Sequence, residues 1–407
     1  MKTSKNVQGT AHKKRRPKNN KNISFLEWCL AWEILITSGG TGGFSGFRNF
    51  PSHSIVFMLF ITALCLFFLR PKKKVDSSTI VMFISVTWLT ISTMFFDLAE
   101  ATGSNSNDTV GFDIDTKLNV IAMYLAVSAL SFRSFREKFL KAATYLSAAT
   151  LIVWMLHIFL HVGNFGYAPS ATFEIFMDWG GRMASIYWEP GQYQIILTFT
   201  LVLFLDELRQ FRISRFMRYF KRFGVIVIAM LVCQSTMAYV SLMSIITLSF
   251  MFNRTGRKNI IVYILMLFAA ASLIFVMFNS QVIQEKISPD NLLARTSLSI
   301  RIQDNIALWH MSQVSPLLGI GRGASFQKYG QIYGNITGSN GWLYAATNFG
   351  WPFLLLIIWC IIKNLKYMKL GIPSVIAFIP LLLTYCNEYW LLFPITLIYI
   401  FKFRDYK

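Results

Sequence analysis

Two stretches of this 407-residue chain hold residue types suited to phosphate and to a fixed negative charge. The first is Gly180-Gly181-Arg182-Met183-Ala184-Ser185-Ile186-Tyr187-Trp188-Glu189-Pro190, which sets an arginine and a carboxylate beside two aromatics. Pro190 suits the first turn of a helix, so Glu189 falls at that helix's N-terminus, where the dipole stabilises a carboxylate. The plain alternative is an N-terminal cap next to an interfacial aromatic belt. The second stretch carries Arg295, Arg301, His310, Arg322 and Lys328, together with Pro316-Leu317-Leu318-Gly319-Ile320-Gly321-Arg322-Gly323 and Gly338-Ser339-Asn340-Gly341. A guanidinium fork matches phosphate oxygens bidentately, and a glycine-rich turn can add backbone N–H donors for an anion. Arg295 and Arg301 are six apart and so do not share a helical face, which still lets them converge if one lies on a turn and the other on a helix. Interfacial arginines pairing with Asp304 and lipid headgroups are the alternative for each one singly. His310 follows Trp309 on an expected interfacial helix, where a lone histidine is more often structural.

The elements that position these residues follow from composition. The chain is 54% hydrophobic and only 14% charged, against about a quarter charged in a soluble domain. Its apolar residues come in blocks approaching the roughly 20 residues that a helical span needs. Backbone groups in hydrocarbon must pair internally, which leaves helices or closed barrels. Barrel strands alternate polar and apolar, whereas Ile260–Phe278 is apolar on all sides. The expected fold is therefore all-α: a polytopic helical membrane protein with about 12 transmembrane helices. The spans are placed at 23–38, 54–69, 79–96, 117–132, 142–161, 190–206, 223–234, 238–252, 259–279, 341–362, 371–387 and 389–402. The stretch 223–252 reads as two short spans or as one kinked or re-entrant segment. Two outer loops stand out, 162–189 and 280–340, and loops of more than about 15 residues are usually functional or disordered.

A formal net charge of +20 invites a nucleic-acid partner, but its distribution argues against one. Most of the 39 Lys and Arg lie in segments read as inside, including Lys13–Lys18, Arg70–Lys74, Arg133–Lys141, Arg209–Arg222, Arg254–Lys258, Lys363–Lys369 and Lys402–Lys407. Most of the 19 acids lie outside, many of them in 97–115 and 174–189. This positive-inside bias places both termini in the cytoplasm and the basic loops against anionic lipid of the inner leaflet. Residues 1–22 read as a disordered basic tail, and 23–407 as the membrane domain. Glu27 and Glu33 interrupt the first apolar run, and no small-residue cleavage site follows it, so it is read as a retained span. Cys29, Cys65, Cys233, Cys360 and Cys386 all fall within expected spans without metal or CxxC spacing and are expected to be free, buried thiols. No metal or cofactor is expected, and no nucleotide-binding loop is present in the sequence.

The order of motifs resembles the O-antigen polymerase and ligase superfamily, the Wzy-type proteins that join lipid-linked glycans. The resemblance covers residues 120–365. It comprises Arg182 with Glu189-Pro190, then Gln234-Ser235-Thr236 opening a span, then a long outer loop with Arg301, the Pro316–Gly321 run and Ser339-Asn340, and finally Gly350-Trp351-Pro352 before an apolar run. The resemblance implies transfer of a glycan from undecaprenyl diphosphate to an acceptor sugar hydroxyl at the outer face of a bacterial cytoplasmic membrane. It further implies Arg182, Glu189 and Arg301 as catalytic residues. Arginines would bind the diphosphate and stabilise it as leaving group, and Glu189 would orient or deprotonate the acceptor. Arg295, Arg322, Asn340, Ser235 and His310 would contact substrate, and a chain-length regulator is an implied partner. Ligases of the superfamily typically carry a histidine where this chain has Ser339, which favours a polymerase.

A ligase remains the alternative within the family, and a flippase for the same lipid-linked oligosaccharide the alternative outside it. A flippase needs a charged cavity between related halves; the sequence shows no repeat and only Glu33 well inside a span. Glu33 is read as structurally paired, although an ionisable residue in a membrane is a functional candidate by default. A sensor or scaffold is disfavoured by the arginine-bearing outer loop and the lack of a cytoplasmic output domain.

Overall fold

A computed structural model describes residues 20–37, 52–70, 132–160, 190–209, 213–233, 292–321, 324–333 and 340–365, with scattered single residues in 80–130, 183–185 and 235–279. Among the described residues the regular structure is helical with no strand, in line with the expected all-α class. The helices are α1 (Asn20–Thr37), α2 (Ser52–Leu69), α3 (Phe132–Leu160), α4 (Pro190–Arg209), α5 (Ile213–Val232), α6 (Leu292–Val314), α7 (Ala324–Tyr333), α8 (Gly341–Phe349) and α9 (Trp351–Leu365). The segment Ser134–Leu156 within α3 is long and apolar enough to cross a membrane by length and composition. The expected spans at 371–387 and 389–402, and residues 1–19 of the tail, lie outside the described residues.

Buried charge fixes how the first helices pack. Glu27 on α1 is almost fully buried and accepts hydrogen bonds from Arg70 just beyond α2, and from Ser134 and Lys138 at the start of α3. Arg70 also donates to the Ala129 carbonyl at 2.6 Å. Six residues further along α1, Glu33 accepts from Thr62 on α2 at 2.8 Å. Partners rising along α1 therefore fall along α2, so the two helices run antiparallel. A carboxylate taken from water needs partners of this kind to stay charged. The partner shown for Glu33 is the neutral Thr62 hydroxyl, unlike the charged partners of Glu27. Leu30, Ile34, Leu59, Ala63, Leu66, Phe139 and Ala143 close the apolar layer between α1, α2 and α3.

Several boundaries differ from the sequence reading. The basic stretches 133–141 and 209–222, expected as loops, are largely helical, since α3 begins at Phe132 and α5 at Ile213. Positive charge orients a chain across a membrane but does not break a helix, because Arg, Lys and Glu are good helix formers. Lys141 and Glu137 add an i,i+4 pair at 3.6 Å. The span expected at 341–362 is interrupted at Gly350, whose φ of 85° ends α8 before α9 begins. In the ambiguous 223–252 stretch, α5 stops at Val232 and helical residues resume at Ala238. There the Ser235 carbonyl accepts from the Ala238 and Tyr239 N–H groups, and the Tyr239 hydroxyl reaches back to the Leu231 carbonyl at 3.0 Å. Carbonyls left open by the break are thereby satisfied, as a helix end away from water requires. Cys29, Cys65 and Cys233 are free thiols, but only Cys233 is buried; Cys65 is exposed on α2, on a side that α1 does not cover.

Candidate functional site

The two glycine motifs meet each other. The Pro316–Gly321 turn after α6 pairs with Thr347–Trp351, the end of α8 and the start of α9. Ile320 N–H donates to the Thr347 carbonyl at 2.7 Å, Gly321 N–H to Asn348 at 3.2 Å, and Trp351 N–H to Pro316 at 2.8 Å. Gly319 (φ 79°), Gly321 (φ 72°) and Gly350 (φ 85°) occupy the left-handed region that glycine adopts without steric cost. A Cβ on Gly319 would lie 2.5 Å from the Phe349 nitrogen, and one on Gly350 would lie 2.6 Å from the Leu317 carbonyl carbon. Both positions must lack a side chain for the backbones to approach. This changes the reading of the turn as an anion cradle. Gly319, Ile320 and Gly321 all give their N–H groups to backbone carbonyls, Gly319 to Ser315 at 2.8 Å, so these three donors are engaged within the protein.

The clasp fixes α6 against α8. The Thr347 hydroxyl donates to the Leu308 carbonyl at 3.0 Å, and Ala307, Leu308, Met311 and Ser312 form the buried side of α6. Trp88 donates its indole N–H to the Phe349 carbonyl at 2.9 Å, tying the 79–96 segment to the same corner. Asn348 is fully buried, and neither of its amide atoms has a hydrogen-bond partner among the described residues. An unsatisfied buried polar atom costs about 1–3 kcal/mol, which marks Asn348 as a residue that the sequence reading missed.

Arg295 and Arg301 both belong to α6. They therefore do not converge from a turn and a helix, because the helix already begins at Leu292. Six positions on one helix leave them about 120° apart around the axis. His310 is exposed and stacks on Tyr333 of α7, with centroids 5.8 Å apart and planes at 13°. Asn340 is the N-cap of α8: its Oδ1 accepts from Trp342 N–H at 3.1 Å and Leu343 N–H at 3.3 Å. Asn340→Ala is thus expected to lower stability by about 1 kcal/mol, with Asn340→Asp close to wild type. Thermal unfolding of the two purified variants checks this. A role in substrate contact would instead appear as lost activity at unchanged stability.

The first motif is met through two of its residues. Met183 and Ser185 are fully buried, so this part of the loop enters the helical core instead of lying over its surface. Ser185 has φ 59°, unusual outside glycine, and its hydroxyl lies 2.8 Å from that of Thr150 on α3. One turn away, the Tyr193 hydroxyl donates to Ser147 at 2.9 Å. Gln194 donates to Thr198 and to Ser241, both at 3.1 Å, which couples α4 to the segment following Ser235. Ser235 itself is half-buried at the helix break. The signal for this network was present in the sequence, because Ser147 and Thr150, and Gln194 and Thr198, are polar pairs at helical spacing inside apolar runs. Buried hydroxyls and amides joined in this way hold a loop in one conformation. Pro190 opens α4 as expected, with Glu189 immediately before it. Arg182, Glu189 and Arg322 lie outside the described residues, as do Gln234, Thr236 and Ser339.

Comparison with protein-family models, with curated proteins and with solved structures gives no match.

Proposed function

We propose that this chain is a polytopic glycosyltransferase of about 12 spans in a bacterial cytoplasmic membrane, with both termini inside. It polymerises undecaprenyl-diphosphate-linked oligosaccharide units into O-antigen or a related surface polysaccharide. The observation that carries the reading is the ordered motif set from Arg182 to Pro352. It is supported by the backbone pairing of two members of that set, Pro316–Gly321 and Gly350-Trp351, and by the anchoring of a third through Ser185. Exposed apolar side chains on α1, α2, α3 and α9, among them Phe25, Met58, Phe159 and Leu355, suit a lipid surround.

In this reading the acceptor hydroxyl attacks the anomeric carbon of the donor glycan. The bond from that carbon to the diphosphate oxygen breaks, undecaprenyl diphosphate departs, and the hydroxyl proton passes to Glu189. Arg182 and Arg301 stabilise the charge that grows on the leaving group. Arg295, Arg322, Ser235, Asn340 and His310 are the substrate contacts of this reading. A deletion strain separates the readings. Loss of a polymerase leaves core carrying a single repeat unit on the surface. Loss of a ligase leaves bare core with polymer still on lipid, and loss of a flippase leaves single units inside the cell.

Arg301→Lys is expected to lose activity although the charge is kept, because a point-charge ammonium does not replace a bidentate guanidinium. Losing one charge-assisted hydrogen bond is worth about 1.5–3 kcal/mol, roughly 10- to 100-fold in rate. Arg301→Ala should be at least as damaging. Wild-type polymer from both variants would place Arg301 among lipid-facing arginines.

A further inference from the structure

We infer that α6, in the middle of the long outer loop, lies on the membrane with one apolar side inserted in the outer leaflet. Ile302, Ile306 and Trp309 follow one another at intervals of four and three on a single side of the helix. They are 51%, 54% and 50% exposed, while Asp304, Ala307, Leu308, Met311 and Ser312 on the other side are buried. The helix is therefore packed on one side, against α8, and carries large apolar groups, with Gln303 and Gln313 among them, open on the other. Leu317, in the turn that follows, extends the exposed apolar surface.

What covers this side is indicated by what it adjoins. The Trp309 ring meets Trp351, at the start of α9, edge to face at 5.6 Å. Trp351, Leu355 and Trp359 lie at intervals of four along α9, and Leu355 and Trp359 are exposed. The α6 surface and the α9 surface are thus one continuous apolar face, joined through the two tryptophans. The inference rests on reading α9 as a span, since its open side then meets acyl chains, and the same lipid continues over Ile302, Ile306 and Trp309. A tryptophan pair at the join suits the depth where apolar core gives way to headgroups.

The test uses the full chain in native membranes, with p-benzoylphenylalanine placed singly at Ile302, Ile306, Trp309, Leu355 and Lys328, and with radiolabelled phospholipid. All five positions are exposed, so the substitutions leave the core intact; variant abundance equal to wild type checks this. Lipid adducts are expected at Ile302, Ile306 and Trp309 at the level of Leu355, with Lys328 at background. Adducts at Leu355 without any on α6 would overturn the inference and leave α9 as a span. Adducts from α6 to another protein would overturn it in favour of a partner surface. Absence of lipid adducts at Leu355 as well would remove the reading of α9 on which the inference stands.

Discussion

Glu189→Gln is expected to leave the protein at normal membrane abundance while lowering polymer formation by about 10²- to 10⁴-fold, the usual cost of losing general-base assistance. Glutamine keeps the size of the side chain and an oxygen that can accept from the first turn of α4, which begins at Pro190. It removes only the negative charge and the capacity to take a proton. If Glu189 merely caps α4, the change should cost about 1 kcal/mol of local stability and little activity. Surface polysaccharide resolved by length, measured beside protein abundance, separates the outcomes. Full-length polymer at normal abundance would take Glu189 out of the mechanism. The buried Ser185–Thr150 contact gives the result a structural context, because it fixes the same loop four residues earlier.

Gly319→Ala and Gly350→Ala should each be severely destabilising, and Gly224→Ala should not. A methyl group at Gly319 meets the Asn348 and Phe349 backbone, and one at Gly350 meets the Leu317 and Leu318 backbone. No rotamer relieves a clash with main chain, so the clasp must open. Opening breaks the cross-bonds from Ile320, Gly321 and Trp351, each worth about 1 kcal/mol net, and a left-handed non-glycine residue adds about 1–2 kcal/mol. Each clasp variant is therefore expected to lose several kcal/mol, roughly 4–5 in sum, and to disappear from the membrane. At Gly224, within α5, a Cβ finds no atom within 4 Å. Alanine there should be neutral or stabilising by about 0.5–1 kcal/mol. Abundance and thermal stability of the three proteins form the measurement. Wild-type stability of the Gly319 and Gly350 variants would show that the clasp does not hold the fold.

By itself the sequence determined the helical class and the principal helices. Long apolar blocks that do not alternate favour helices over half-buried strands; α1, α2 and α4 accordingly fall where the hydropathy places them, and Pro190 marks its helix start. It also supplied the candidate chemistry, since residue type decides what a side chain can bind, whatever the fold. Helix ends in charged segments were less legible. Lys and Arg are good helix formers and do not end a helix, so α3 and α5 begin well before their apolar stretches. Only the tertiary structure decided what touches what. It showed that Glu27 draws Arg70, Ser134 and Lys138 into one buried cluster. It placed Arg295 and Arg301 on one helix, about 120° apart, and gave the Asn340 carboxamide oxygen to a helix N-terminus. It also turned the Pro316–Gly321 run from an anion cradle into half of a backbone clasp, because Gly350, some thirty residues on, brings the carbonyls of Thr347 and Asn348 to its N–H groups. Such pairings depend on distances between residues far apart in the chain, and local spacing does not encode those distances.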